Sequence, residues 1–191
     1  EVDGKIILDL AVNGEMASFV LDLSGHTALL PEFLEKLKID PEVPGDFRYN
    51  QFLYKNVPIS KTVSVNTMAF GNNVFGNAVP AFVLVDEPYL RQLGVAGIVG
   101  GALFRNVVLT IDSKRKKITT SVPYRPSYMK LDHRANVSLI PASGVMCPVE
   151  LNGETYSLLL DTWSDGLVTL STTDFAKLNG MSGDEGKMSV G

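Results

Sequence analysis

The chain has 191 residues, of which 45% are apolar and 20% are charged, and its formal net charge is −4 at neutral pH. This length and composition are typical of one domain of ordinary size or two small ones, and they exclude a disordered chain. No apolar run approaches the roughly 20 residues of a membrane-spanning helix. The mild acidity, with one short basic run at 114–117 that we interpret as a solvated turn, argues against a nucleic-acid partner.

The first predicted elements are a β-hairpin and a carboxylate at its end. Residues 5–12 form an almost continuous apolar strand, an Asn-Gly pair predicts a tight turn, and a second apolar run leads to Asp22. The small residues Ser24 and Gly25 follow, which indicates a turn at the tip of a buried strand. A buried carboxylate must be hydrogen-bonded or paired, whereas an aspartate that only caps its own turn is the structural alternative.

Further elements complete a first unit. Pro31 predicts the start of a helix. Alternation over 62–70 predicts one strand, and the apolar run 78–85 predicts another. Glycines bracket the apolar pair between Gly97 and Gly100, which indicates a buried strand that another backbone segment approaches closely. A closing hairpin is predicted after it.

The second half of the chain repeats the opening pattern. An Asn-Gly turn, an apolar strand and an aspartate recur over 151–161, and a helical pattern follows at 173–178. Asp22 and Asp161 therefore occupy matched positions in two units, as a symmetric acid–base pair requires. The second unit lacks counterparts of the later strands of the first. It either packs on the first unit or belongs to a natural protein that extends further.

The first unit, over 5–121, resembles the retropepsin-like aspartic peptidases, the single-lobe relatives of pepsin. The resemblance depends on the apolar strand that ends in an Asp-containing turn, the apolar-apolar-Gly element that ends at Gly100, and the closing hairpin. It implies an all-β, retropepsin-like acid-protease barrel with short helices over 1–122. A linker at 123–134 and the first half of a second related lobe at 135–191 would follow.

Both turns depart from the Asp-Thr-Gly motif of that family. Leu-Ser follows Asp22, and Thr-Trp follows Asp161. In the family the threonine hydroxyl links the two catalytic loops, and Thr162 has this hydroxyl whereas Leu23 does not. Trp163 replaces a glycine and is interpreted either as a platform for substrate or as a plug that fills the cleft. The resemblance assigns supporting positions in the turns and loops to Ser24, Gly25, Gly100, Thr162 and Ser164.

Two functions stay open on the sequence. The resemblance implies an aspartic-type peptidase, in which Asp22 and Asp161 share one proton, activate a water molecule and polarise the scissile carbonyl without a cofactor. The pair forms either within one chain or from the Asp22 residues of two chains in a homodimer. The alternative, favoured by the altered turns, is a catalytically inactive homologue that binds a peptide or a protein in the old cleft.

Peptide contacts are expected from aromatic side chains. The resemblance implies a mobile hairpin over the cleft, at about residues 45–57, where Tyr49 and Phe52 would face a peptide, and Trp163 would add a third contact. Packing of the core or surface explains these residues equally well.

No metal site is predicted. The two histidines, His26 and His133, and the single cysteine, Cys147, are too few for zinc. The chain begins without methionine and no signal peptide is visible, so the location stays open; an extracytoplasmic or periplasmic one would follow if an upstream signal peptide had been removed.

Overall fold

The computed structural model describes residues 3–39, 43–44, 49–50, 55–56, 59–75, 78–84, 87–121, 135–140, 144–164, 168 and 170–178. Within these ranges the chain is mostly β-strand with a few short helices, and the predicted all-β fold class is confirmed.

The strands of the described residues are, in chain order, β1 (Ile7–Val12), β2 (Glu15–Asp22), β3 (Ala28–Leu29), β4 (Val43–Pro44), β5 (Tyr49–Asn50), β6 (Lys55–Asn56), β7 (Ile59–Val65), β8 (Met68–Phe70), β9 (Asn73–Phe75), β10 (Val79–Leu84), β11 (Gly97–Gly100), β12 (Val108–Asp112), β13 (Lys117–Ser121), β14 (Ser138–Ile140), β15 (Gly144–Leu151) and β16 (Glu154–Leu159). The helices are α1 (Pro31–Leu37), α2 (Pro88–Gln92), a 3₁₀ helix (Gly101–Phe104) and α3 (Thr172–Leu178).

The largest sheet places Asp22 at the end of an interior strand. Its order is β4-β7-β10-β3-β11-β2-β1-β8-β9. β1 and β2 pair antiparallel across Asn13 and Gly14, whose φ angles of 50° and 86° suit the type I′ turn that an Asn-Gly pair favours. On the other side of β2, β11 runs parallel, with Gly100 opposite Asp22.

Two apolar clusters cover the two faces of this sheet. Side chains alternate along a strand, so Phe19 and Leu21 of β2 enter the larger cluster while Val20 enters the smaller one. In the larger cluster Phe19 packs edge-to-face on Phe33 of α1, with ring centroids 5.6 Å apart. Fully burying a side chain of this size contributes about 1.5–3 kcal/mol. The remaining buried members of the smaller cluster are Ala28, Leu30, Leu84, Leu90, Val95 and Ile98.

The described residues of the predicted second unit form the sheet β14-β15-β16 followed by α3. Its hairpin turns at Asn152 and Gly153 with φ angles of 53° and 84°, close to those of the first hairpin. In both hairpins the residue before the asparagine pairs with the glutamate after the glycine. The predicted linker at 123–134 lies outside the described residues, and the boundaries of the two units stay a prediction.

The single strand predicted over 62–70 was wrong. The chain there forms the end of β7 and then β8, because β7 pairs with β10 whereas β8 pairs with β1 and β9. Thr67 lies between the two strands, where its backbone N–H donates to Oδ1 of Asn13 at 3.0 Å.

The close approach of β11 to the turn after Asp22 generates a stability prediction. A Cβ on Gly100 would lie 2.4 Å from the carbonyl oxygen of Gly25, which is backbone and cannot swing away. We predict that Gly100→Ala lowers the free energy of unfolding by about 3 kcal/mol in urea denaturation. The control is Gly94→Ala, where a Cβ has open space and only the positive φ of 69° imposes a cost, of about 1 kcal/mol. A loss no larger than that of the control would contradict the close approach.

Candidate active site

The Asp22 carboxyl is buried and bound by its own turn. Its side chain is 1% exposed. Oδ1 accepts hydrogen bonds from the backbone N–H of Ser24 at 2.9 Å and from the Ser24 hydroxyl at 2.6 Å. Oδ2 lies over Gly25, where a Cβ would come within 2.3 Å of it. Ser24 therefore binds the carboxyl, and a side chain at position 25 would displace the carboxyl of Asp22.

Burial raises the pKa of Asp22 above its usual value of 3.8. The hydrogen bonds from Ser24 oppose this effect because they stabilise the ionised form, and the negative charge of Asp161 raises the pKa further.

Asp161 lies just after β16, in a loop that matches the first one. It is partly buried, and its Oδ1 accepts hydrogen bonds from the backbone N–H groups of Trp163 at 2.7 Å and Ser164 at 3.0 Å. In both units, then, the aspartate accepts a hydrogen bond from the N–H two residues further on.

The hydroxyl of Thr162 joins the two loops. It donates to the carbonyl oxygen of Leu21 at 2.8 Å and accepts from the N–H of Leu23 at 3.0 Å. One side chain of the second unit therefore holds the backbone on both sides of Asp22. Leu23 has no hydroxyl with which to return this bridge, and its side chain, 6% exposed, lies in the larger apolar cluster instead.

Sequence reasoning missed two further backbone contacts of the first loop. Thr27, buried in the turn, accepts the N–H of Gly100 on Oγ1 at 3.2 Å and so ties β11 to the loop. Gly144, at the start of β15, approaches the carbonyl oxygen of Leu23 so closely that a Cβ would lie 2.7 Å from it. A threonine shortly after Asp22 was a usable signal for the first contact. Nothing local in the sequence marks the second.

Trp163 joins the two units. Its ring packs on the smaller apolar cluster of the first unit and meets Tyr89 edge-on, with centroids 5.7 Å apart. The ammonium of Lys5 lies 5.5 Å from the ring centroid and also donates a hydrogen bond to the Trp163 carbonyl oxygen. Sequence reasoning gave Lys5 no role. A substrate contact for Trp163 stays a prediction.

The other predicted peptide contacts lie at the margin of the described residues. Tyr49 belongs to β5, which pairs with β6 within the stretch proposed to cover the cleft. Phe52 lies outside the described residues. His26, next to the first loop, packs edge-on against Phe82 with centroids 5.1 Å apart.

Two further features of the described ranges concern metal binding and membrane-spanning helices. No group of three or more His, Cys, Asp or Glu side chains in them is placed to hold a metal ion. None of their helices is long and apolar enough to cross a membrane.

Among solved structures, the chain is similar to a retropepsin-like aspartic protease from Rickettsia conorii. The two share 20% sequence identity with a TM-score of 0.44, and the match covers 59% of this chain and 80% of that one. No protein-family model and no curated protein sequence matches the chain.

The Thr162 bridge generates a second stability prediction. Thr162→Val keeps the shape of the side chain but leaves the Leu23 N–H and the Leu21 carbonyl without this partner. We predict a loss of about 1–3 kcal/mol in the free energy of unfolding, measured by urea denaturation, and a smaller loss for Thr162→Ser. Thr155→Val, at an exposed position of β16, is the matched control and should change stability by less than about 0.5 kcal/mol. Equal losses at the two positions would mean that the bridge contributes nothing.

The raised pKa of Asp22 generates a pH prediction. Near pH 3.8 the carboxyl loses its proton in the unfolded chain but keeps it in the folded one. The folded state therefore binds more protons, and the contribution of Asp22 to stability falls as pH rises from 3.8 to the folded-state pKa. Asp22→Asn removes this pH-dependent contribution to stability. In urea denaturation, the stability of the variant minus that of the wild type should increase with pH through this window and then level off. A difference that stays constant or decreases contradicts the assignment.

Proposed function

We propose that the protein is an aspartic-type peptidase whose two catalytic carboxylates, Asp22 and Asp161, come from two related units of one chain. The observation that carries the proposal is the bridge from Thr162 to the backbone on both sides of Asp22. This bridge fixes the loop of one aspartate on the loop of the other. The effect of the Asp161 charge on the pKa of Asp22 supports the pairing.

The proposed chemistry follows from the unlike surroundings of the two carboxyls. Two neighbouring carboxylates resist simultaneous ionisation, so the pair holds one proton. Asp22, buried and with a raised pKa, suits the protonated role, whereas Asp161 is only partly buried. The ionised carboxylate takes a proton from water, whose oxygen attacks the peptide carbonyl carbon while the protonated carboxyl polarises the carbonyl oxygen. Proton transfer to the amide nitrogen then breaks the C–N bond.

Pairing within one chain is better supported than pairing in a homodimer. Thr162 and Gly144 of the second unit both lie against the turn that follows Asp22. A second copy of the first unit could not dock on that side of the turn while they lie there. The matched hairpins and the matched N–H contacts of the two aspartates further support an internal duplication.

A non-catalytic peptide-binding or protein-binding module is the second candidate, and Leu23 favours it. The bridge between the loops is made by one hydroxyl, because Leu23 offers no second one. Such a module would retain the fold and the cleft while the relative orientation of the carboxyls is less firmly held.

Activity assays distinguish the two candidates. We predict that the protein cleaves a denatured protein substrate at acidic pH and that a statine-type inhibitor blocks the cleavage. Asp22→Asn and Asp161→Asn should each lower kcat by about 100-fold or more, because each removes a proton-transfer group. Asp9→Asn, an equal charge change on the exposed side of β1, is the control and should leave kcat unchanged.

Two outcomes would reject the peptidase. Cleavage that survives both aspartate substitutions would place the activity elsewhere, in the chain or in a contaminant. Binding of the same substrate without turnover, equal in wild type and Asp22→Asn, would identify the binding module.

A further inference from the structure

Lys5 is a buried lysine whose ammonium faces the loop of the second aspartate. The residue is 4% exposed and precedes β1 of the first unit. Its ammonium donates to the carbonyl oxygen of Trp163 and lies over the indole ring of the same residue. A lysine buried this deeply needs such partners, because removing its charge from water is costly. The contact therefore specifies one position of Trp163 relative to the first unit.

The position of Trp163 in turn determines the position of Asp161. Its backbone N–H donates to Oδ1 of Asp161 at 2.7 Å, while its carbonyl accepts from Lys5 and its ring is held by Tyr89 and the smaller apolar cluster. The residue is thus fixed at its N–H, its carbonyl and its side chain.

The first loop is held in a different way. Ser24 occupies the position that matches Trp163, is fully buried, and binds Asp22 through both its hydroxyl and its N–H. Trp163 has no hydroxyl to offer its own aspartate. The second loop is therefore held by contacts with the first unit, whereas the hydroxyl of Ser24 holds the first loop from within.

We propose that Lys5 is a positioning residue for Asp161, which it acts on through Trp163. This inference rests on the proposed pairing of Asp22 with Asp161. Without the ammonium, the Trp163 carbonyl loses a charge-assisted hydrogen bond in a poorly solvated place, and the loop gains freedom to move away from Asp22.

The pKa of Asp22 reports this movement without any need for turnover. The charge of Asp161 raises that pKa, so a more distant Asp161 lets it fall. Simple loss of a positive charge acts in the opposite direction and would raise the pKa of a carboxyl. A fall after removal of Lys5 is therefore not explained by the lost charge, and it indicates that the loop of Asp161 has moved away from Asp22.

The test is a carboxyl ¹³C NMR titration in which the Asp22 signal is assigned by its loss in Asp22→Asn. Lys5→Met keeps the apolar stem and should lower the Asp22 pKa by part or all of the fall seen in Asp161→Asn. Lys5→Arg keeps the charge and the donor and should restore the wild-type value. Lys36→Met removes an exposed lysine that pairs with Glu15 and is the matched control. Trp163→Phe, which retains an aromatic ring but shortens its reach, should shift the pKa in the same direction as Lys5→Met.

The outcomes separate the two proposals. An Asp22 pKa that is unchanged or raised in both Lys5→Met and Trp163→Phe, but lowered in Asp161→Asn, overturns the positioning role alone. An unchanged pKa in Asp161→Asn contradicts the pairing of the two aspartates, and with it the proposed function. In the active enzyme, Lys5→Met should lower kcat about tenfold or more, with KM within about twofold, and Lys5→Arg should recover the loss.

Discussion

The cost of burying one carboxyl sets the constraints on the rest of this structure. Asp22 is almost completely removed from solvent, and an ionised group in that position must find hydrogen bonds or shift its pKa. Both responses are present, since Ser24 donates twice to it and burial still raises its pKa. The glycines around it leave room for the carboxyl and for close backbone approach, as at Gly25 and Gly100. The second unit then adds its bridge to the same turn.

The two aspartate loops have similar backbone conformations, but different contacts hold them in place. Each aspartate accepts an N–H from two residues on, after hairpins with nearly identical turn angles. Ser24 completes the first loop from within, whereas Trp163 is held by the first unit through Lys5 and Tyr89. The side chain of Asp22 is thus bound by its own turn, while Thr162 of the second unit holds the backbone on both sides of it. The position of Asp161 depends on contacts that Trp163 makes with the first unit.

Local chemistry made part of this predictable from the sequence. The Asn-Gly pairs specify their turns, and the order apolar strand, aspartate, small residues indicates a carboxyl at a strand tip; both follow from neighbours in the chain. The contact of Lys5 with Trp163 joins residues 158 positions apart, and no local pattern carries it. The break between β7 and β8 was missed for the same reason, because Asn13, which binds Thr67, lies 54 positions away. Which of the two aspartate loops is held by contacts from elsewhere in the chain depends on tertiary packing, and spacing alone does not encode that.

Leu23 is the residue at which stability and the proposed catalysis would make different demands. Burying a leucine contributes about 1.5–3 kcal/mol, whereas a typical hydrogen bond contributes a net of about 1 kcal/mol, so a leucine at this position does not weaken the fold. Apolar burial is not directional, however, and a hydrogen bond between loops is. Catalytic groups must be held to within about 0.5 Å, which favours directional contacts. An apolar side chain in place of a hydroxyl at this site keeps the two units packed together. It holds the two aspartates less firmly in one relative position. That relative position then depends on Thr162 and on the anchoring of Trp163, the two residues that tie the loop of Asp161 to the first unit.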